Sequence, residues 1–153
     1  MQYLRTWPTP CGTSCASVTV EVDEGRERRL TELLGAYDGL FQAQFVGNCI
    51  IDLNLRVYGS LPLSVASGVN LVGMYCDLLR GQPVSRRRGT PGVRYRWMEG
   101  DVRHVWQKWR TRDMSTYGAV RALAPRWRTA HSVVSLSDPG PLLSRIRYGL
   151  SHI

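Results

Sequence analysis

Hydrophobic and polar residues alternate in three stretches of the first third of the chain, and each stretch predicts a β-strand. The three stretches are residues 16–22, 39–46 and 49–53. Only Gly47 and Asn48 separate the second stretch from the third. A two-residue connection that can adopt positive φ is typical of a tight hairpin, so we expect these two strands to pair with each other.

Apolar residues at helical spacing predict helices in most of the remaining chain. The expected helices span about residues 24–35, 59–68, 70–80, 101–112 and 141–150, with short strands at 93–98 and 132–136. Asp23 is in position to cap the first helix. The expected core positions of these helices are Leu30, Leu33, Leu34, Val65, Val69, Val72, Leu78, Leu79, Val102, Val105, Trp106 and Trp109. Residues 1–15, rich in Pro, Thr, Gly and Ser, are interpreted as a loop or a strand end, and residues 82–92, rich in Pro, Gly and Arg, as a linker.

Arginine dominates the charge of the chain. The formal net charge is +8, and Lys108 is the only lysine among the 20 basic residues. Such a surplus favours polyanionic partners, and a nucleic-acid-binding protein that uses residues 86–88 and 94–112 is one hypothesis, because arginines and aromatic residues alternate there. The helical spacing of Trp106 and Trp109 favours burial instead, so nucleic acid is not the partner that we expect.

The cysteines and the apolar stretches bear on the cellular setting. Cys11 and Cys15 are four residues apart, but no second close pair and no well-spaced histidine completes a zinc site. Reduced cysteines that pack as small hydrophobic side chains are the favoured interpretation. The first twenty residues lack the apolar segment of a signal peptide, and polar residues interrupt the longest apolar stretch, residues 61–75. We therefore expect a cytoplasmic protein without a membrane segment.

Acidic and amide side chains occur at alternate positions of the predicted hairpin. Asp52 and Asn54 share one face of the second strand with Ile50, since side chains alternate with a period of two. Gln44 on the first strand adds a second amide. One carboxylate and two amide oxygens suit Mg²⁺, and Arg56 can reach a phosphate oxygen. From the spacing alone, an ordinary polar turn at the end of a surface strand remains the alternative.

Residues 52–56, with the sequence DLNLR, resemble the Glu-x-Asn-Pro-Arg motif of ATP-grasp enzymes. The runs GSLPL (59–63) and ASGV (66–69) resemble the helix entry that comes after this motif in carbamoyl-phosphate-synthetase-like members. Further similarity is found in residues 5–8 with Gly12 and Ser14, and in residues 43–45, 92–97 and 100–101. The resemblance covers nearly the whole chain and is most specific between residues 39 and 81.

The resemblance implies an α+β fold in which an antiparallel sheet is packed with helices. Residues 1–82 would form the C-terminal lobe of an ATP-grasp domain, and residues 83–153 a small α-rich C-terminal extension. By position, Gln44, Asp52 and Asn54 would hold one or two Mg²⁺ or Mn²⁺ ions that bridge the phosphates of the co-substrate ATP. Asn54 and Arg56 would contact the nucleotide, and Arg56 would act on the transferred phosphoryl group.

The same resemblance implies a ligase that activates a small-molecule carboxylate as an acyl-phosphate, which an amine or another nucleophile then attacks. Three departures weaken the expected site: Asp52 is shorter than the usual Glu, Leu55 replaces the usual Pro, and the hairpin is shorter than usual. Lysines of a first lobe hold the phosphates in this family, and Lys108 does not correspond to them. We therefore expect half of an active site, with little turnover by the isolated chain and a separate N-terminal lobe or subunit as partner. The alternative is a non-catalytic remnant or accessory domain.

Overall fold

The computed structural model describes residues 1–7, 15–124, 129–132 and 138–150, and these residues form six strands and six helices. In chain order the elements are β1 (Gln2–Arg5), β2 (Ala16–Val20), α1 (Glu24–Leu34), β3 (Gln42–Val46), β4 (Cys49–Asn54), α2 (Leu61–Ala66), α3 (Leu71–Leu79), β5 (Arg94–Arg96), α4 (Met98–Arg110), α5 (Thr116–Leu123), β6 (Thr129–His131) and α6 (Gly140–Leu150). The described chain is thus a mixed helix-and-sheet protein, in agreement with the expected α+β class.

The strands form two sheets. One sheet has four strands in the order β1-β2-β5-β6, and the other consists of β3 and β4. β3 and β4 are antiparallel, as predicted, but β5 and β6 are parallel, with Arg96 opposite His131. The expected antiparallel pairing is therefore present in the hairpin, and the four-stranded sheet adds a parallel pair. The physical reason is the helical connection through α4 and α5, because a helical crossover returns the chain to the sheet in the same direction.

Contacts divide the chain into two compact units. One comprises Met1–Leu4 and Val18–Val93, and the other comprises Arg5–Ser17 and Arg94–Ile153. The assignment of residues 1–82 to an ATP-grasp lobe concerns family membership and stays a prediction. None of the helices in the described part of the chain combines the length and apolarity that crossing a bilayer requires.

In the first unit, α1 begins where the sequence predicted. The Asp23 carboxylate accepts hydrogen bonds from the backbone N–H groups of Gly25 (2.9 Å) and Arg26 (3.1 Å), which satisfies donors that the first helical turn leaves unpaired. Gly35, with φ of +53°, ends the helix. The expected burial of the apolar side of α1 is wrong, because none of its residues is buried and Leu33 is exposed.

The core of the first unit lies around α2. Its buried side chains include Tyr58, Leu61, Leu63, Ser64, Ser67 and Val69. Among the predicted core positions Val69 is confirmed, whereas Val65, Val72, Leu78 and Leu79 are exposed. Ser64 and Ser67 are buried where a valine was expected to be. The Ser64 hydroxyl donates to the Leu61 carbonyl and the Ser67 hydroxyl donates to the Ser64 carbonyl, both at 2.8 Å. Paired in this way, small polar side chains can be buried, which an apolar pattern does not anticipate.

In the second unit, the structure changes several predicted boundaries. α4 begins at Met98 and α5 lies in a segment without a predicted element. Val105 is buried as expected, but Val102, Trp106 and Trp109 are exposed, so the predicted tryptophan core is wrong. In the first unit, residues 2–4 of β1 lie in the N-terminal stretch that was interpreted as a loop or a strand end. Of the strand predicted at 132–136, only residue 132 is described, as a bend after β6, and residues 133–136 lie outside the described part.

Candidate functional site

The β3–β4 hairpin brings four polar side chains to one face. Gln44 lies opposite Asp52, and Gln42 lies opposite Asn54. Residues that face each other across an antiparallel pair project to the same side of the sheet. Gly47, with φ of +57°, supplies the turn between the two strands. The hairpin therefore presents one carboxylate and three amides together.

A β-bulge sets the register of this face. Phe45 pairs with Ile50 and Gln44 pairs with Asp52, so Ile51 is an extra residue in β4. The expectation that Ile50 shares a face with Asp52 is therefore wrong, because Ile50 lies on the face of Phe45. The bulge interrupts the simple alternation from which that expectation came, and it leaves Asp52 and Asn54 on the side of the glutamines.

Two of the amides donate hydrogen bonds to the carboxylate. Gln44 Nε2 lies 3.0 Å from Asp52 Oδ2, and Asn54 Nδ2 also donates to Asp52 Oδ2. All three side chains are partly buried. Since the amide nitrogens face the carboxylate, the amide oxygens face away from it. The structure therefore brings together three of the four residues that the sequence predicted for the site, with the amide nitrogens, and not the amide oxygens, turned toward the carboxylate.

Arg56 is not part of this contact group. β4 ends at Asn54, so the alternation of side chains does not continue to Arg56. The side chain is exposed, and its Nη1 donates to the carbonyl of the next residue, Val57, at 3.1 Å. Its expected role at the transferred phosphoryl group stays a prediction.

A second hydrogen-bonded chain adjoins the polar face, and the sequence did not reveal it. Gln42 Nε2 donates to the Tyr3 hydroxyl, and that hydroxyl lies 2.9 Å from Ser60 Oγ. Burial raises the pKa of Tyr58 to about 12, and the nearby Tyr3 adds to this effect. In the sequence, the one indication of a polar face here was that Gln42 and Gln44 occupy alternate positions of one predicted strand. Tyr3 and Ser60 are too distant in sequence to be connected with it.

The residue types on the hairpin face suit a hard divalent cation, but the amides of Gln44 and Asn54 would have to turn their oxygens toward Asp52 before all three residues could hold one ion. One carboxylate with amide oxygens, completed by waters and phosphate oxygens, is a common environment for Mg²⁺. Across the described residues, the hairpin included, no group of three or more His, Cys, Asp and Glu side chains is arranged to hold a metal ion. The described cysteines are free: Cys15 is buried, while Cys49 and Cys76 are exposed. Cys11 lies outside the described residues.

The second unit contains a buried ion pair with polar neighbours. Arg96 Nε contacts Asp101 Oδ2, and Asp101 is only 3% exposed. Burial raises the pKa of Asp101 although Arg96 opposes the shift, and burial raises the pKa of the Cys15 thiol to about 11. Burial and Arg96 together lower the pKa of His131. Within the described residues, Asp101 Oδ1 and His131 Nδ1 are buried and have no hydrogen-bond partner.

Comparisons with known proteins returned no relatives. The chain matches no protein-family model, no curated protein and no solved structure.

Proposed function

We propose that the chain is the Mg²⁺- and ATP-binding part of an ATP-grasp ligase, with the β3–β4 hairpin as the element that holds the metal. The placement of Gln44, Asp52 and Asn54 side by side on one face of the hairpin supports this proposal most directly. These are the three positions at which the resemblance to ATP-grasp enzymes requires metal ligands. The helices α2 and α3 come directly after the hairpin, where the similar family members also have a helix entry.

The chemistry of such a site is largely charge neutralisation. A divalent cation held by Asp52, Asn54 and Gln44 would offset the negative charge of the ATP phosphates, and Arg56 would stabilise the transferred phosphoryl group. The γ-phosphoryl group passes to a substrate carboxylate, which gives an acyl-phosphate and ADP. An amine or similar nucleophile then attacks the acyl carbon and releases phosphate. Metal ions and an arginine suffice for this chemistry without a nucleophilic side chain.

Binding of Mn²⁺ and ATP to the purified chain tests the proposal. Free Mn²⁺ can be measured by electron paramagnetic resonance, and ATP binding by calorimetry with and without the metal. We expect Asp52→Ala to abolish Mn²⁺ binding and metal-dependent ATP binding, because it removes the only carboxylate of the polar face. Asp38→Ala, at an exposed position just before β3, is the matched control and should behave as wild type. Equal Mn²⁺ binding by Asp52→Ala and wild type would contradict the proposal.

A catalytic chain and a non-catalytic accessory domain differ in whether bound ATP reacts. Both would bind Mn²⁺ and ATP through the hairpin, but only a catalytic chain would release ADP when carboxylate substrates are supplied. We expect weak binding and little ADP release from the isolated chain, since Asp52 is shorter than the usual Glu. Metal-dependent ADP release that Arg56→Ala abolishes would favour the catalytic form.

A second candidate function is binding of single-stranded nucleic acid by α4. Trp106 and Trp109 are 58% and 42% exposed, and their ring centroids lie 5.3 Å apart. Trp109 Nε1 donates to Thr116 Oγ1 at 3.2 Å, which restrains the orientation of that indole. Arg110 on the same helix is exposed, and among the described residues it forms no ion pair. Exposed aromatic rings beside arginine can stack on bases and contact phosphates.

Fluorescence titration with single-stranded oligonucleotides tests this second function. Binding should weaken steeply with salt, and Trp106→Ala should weaken it by about 1–3 kcal/mol, whereas Trp106→Phe should retain most of it. Binding that is absent at low salt, or that Trp106→Ala leaves unchanged, would remove this candidate.

A further inference from the structure

We propose that a cavity beside α3 binds a small zwitterionic molecule of the amino-acid type, whose carboxylate contacts Arg87 and whose ammonium group contacts Asp77. The cavity lies within the first unit, where residues 83–87 pass alongside α3. It shares no residue with the polar face of the hairpin, so this proposal is independent of the proposed metal site.

The three successive arginines at 86–88 do not form a single basic patch. Arg86 and Arg88 both contact the Glu27 carboxylate of α1, at 2.6 Å and 3.1 Å. Arg87, between them, lines the cavity together with Ser85. Residues two apart thus share a side, as they do in an extended chain. The outer two arginines tie the segment to α1, and the middle arginine is left for the cavity.

An acidic residue of α3 lines the same cavity. The Asp77 carboxylate lies 3.9 Å from Arg80, which is nearly one turn further along the helix. This pair is exposed and long, so it contributes little and leaves the carboxylate available to a ligand. Within the described chain, Arg87 forms no ion pair with Asp77 or with another acidic side chain. Two opposite charges that line one cavity without pairing suit a molecule that carries both charges.

The size and the remaining lining of the cavity narrow the class of ligand. Its volume is about 290 Å³, whereas small-molecule sites usually have about 300–1,000 Å³. A ligand smaller than a nucleotide is therefore expected. An inorganic anion alone would be repelled by Asp77. Apolar surface comes from Met74, Pro83 and Val84, so an amino acid with an aliphatic side chain matches the lining.

The polar groups suit the two ends of such a molecule. The Arg87 guanidinium can hold a carboxylate through two parallel hydrogen bonds, and the Ser85 hydroxyl can donate another. The Asp77 carboxylate can accept hydrogen bonds from an ammonium group, which has three donors. Both contacts are charge-assisted, so each is stronger than a hydrogen bond between neutral groups.

Calorimetric titration of the full chain with three related compounds tests the proposal. L-leucine carries both charges, isocaproate lacks the ammonium group, and isoamylamine lacks the carboxylate. We expect L-leucine to bind at least about tenfold more tightly than either of the other compounds, because each charged contact adds to the affinity. Absence of saturable L-leucine binding, or equal affinities for L-leucine and isocaproate, would overturn the proposal.

Variants assign each contact to its residue. Arg87→Ala should remove the advantage of L-leucine over isoamylamine, and Asp77→Asn should remove its advantage over isocaproate. A purely structural role would weaken all three compounds alike. Arg28→Ala, which removes an exposed charge of α1 outside the cavity, is the matched control and should bind L-leucine like wild type.

The same titrations separate this proposal from the metal site, since neither a metal ion nor ATP is present. Circular dichroism melting verifies that each variant is folded. If Arg87→Ala leaves the affinity for L-leucine unchanged, or if Arg28→Ala weakens it equally, the assignment of the carboxylate contact is wrong. Neither result bears on Mn²⁺ binding by the hairpin.

Discussion

Gln44 lies directly opposite Asp52 across the β3–β4 hairpin, and its amide nitrogen donates a hydrogen bond of 3.0 Å to the Asp52 carboxylate. This pairing exists because the extra residue Ile51 is accommodated as a bulge. Ile51 is 59% exposed, so the strand gains no buried contact from its side chain. The position of the bulge therefore determines which residues of β4 face the glutamines.

Deletion of single residues in β4 tests this register. Deletion of Ile51 should remove the bulge and leave Asp52 opposite Gln44, so we expect the fold and Mn²⁺ binding to change little. Deletion of Leu53 should move Asn54 to the opposite face of the strand and abolish Mn²⁺ binding. Nuclear Overhauser contacts between the backbones of Gln44 and Asp52 check the pairing independently of the metal. Loss of these contacts on deletion of Ile51 would show that the assigned register is wrong.

Local signals in the sequence predicted the parts of the structure that depend on neighbouring residues. Asp23 predicted the start of α1, and Gly47 with Asn48 predicted the hairpin, because capping and tight turns involve only a few adjacent residues. The bulge at Ile51 has no comparable marker. Ile50 and Ile51 are successive isoleucines, and nothing in the sequence shows that one of them is an extra residue in the strand. The contact of Tyr3 with Gln42 joins distant segments and could not be inferred from spacing.

Burial was predicted less well than secondary structure. Helical spacing correctly indicated that Val105 and Trp109 belong to one helix, but it does not reveal which side of that helix another element covers. The structure covers Val105 and leaves Trp109 exposed. Similarly, Ser64 and Ser67 are buried because their hydroxyls donate to backbone carbonyls of the helix. From composition alone, serines are expected on the polar surface.

The buried ion pair of the second unit should be sensitive to loss of one partner. Asp101→Ala leaves the Arg96 charge buried without a carboxylate, and we expect it to lower the free energy of unfolding by about 3–5 kcal/mol. The double variant Arg96→Met with Asp101→Leu should recover most of this loss, because no buried charge remains. Urea unfolding measures both effects. As a control, Asp113→Ala breaks the exposed pair with Lys108 and should change stability little.

His131 should make the stability of the second unit depend on pH. Its pKa in the folded protein is lowered by burial and by Arg96, while Asp101 opposes the shift. The unfolded chain therefore binds the proton more readily, so the contribution of His131 to stability is complete above about pH 6.5 and is lost as the pH falls toward the lower pKa of the folded state. His131→Gln should remove this component. Urea unfolding of both proteins between about pH 5 and pH 8 tests this, and curves that stay parallel throughout would contradict it.

Glu27 should control protease access to the segment that comes after α3. Its carboxylate contacts Arg86 at 2.6 Å and Arg88 at 3.1 Å, and the hydrogen bond from Arg86 is the main reason that its pKa is lowered. Glu27→Gln weakens both contacts, so trypsin should cleave faster after residues 86–88. Glu32→Gln, also exposed on α1, is the matched control and should leave the rate unchanged. Mass spectrometry of the early fragments locates the cleavage site, and equal rates for the two variants would refute the prediction.

The composition of the polar hairpin face has an electrostatic consequence. Gln42, Gln44 and Asn54 are neutral, so Asp52 alone gives the metal-free face a single negative charge. That charge repels a free nucleotide. One bound divalent cation would reverse the sign and leave a single positive charge that attracts the same nucleotide. Under the proposed function, a face built from three amides and one acid would therefore bind the cation first, or bind the cation and ATP as one complex, and would not bind ATP without the cation.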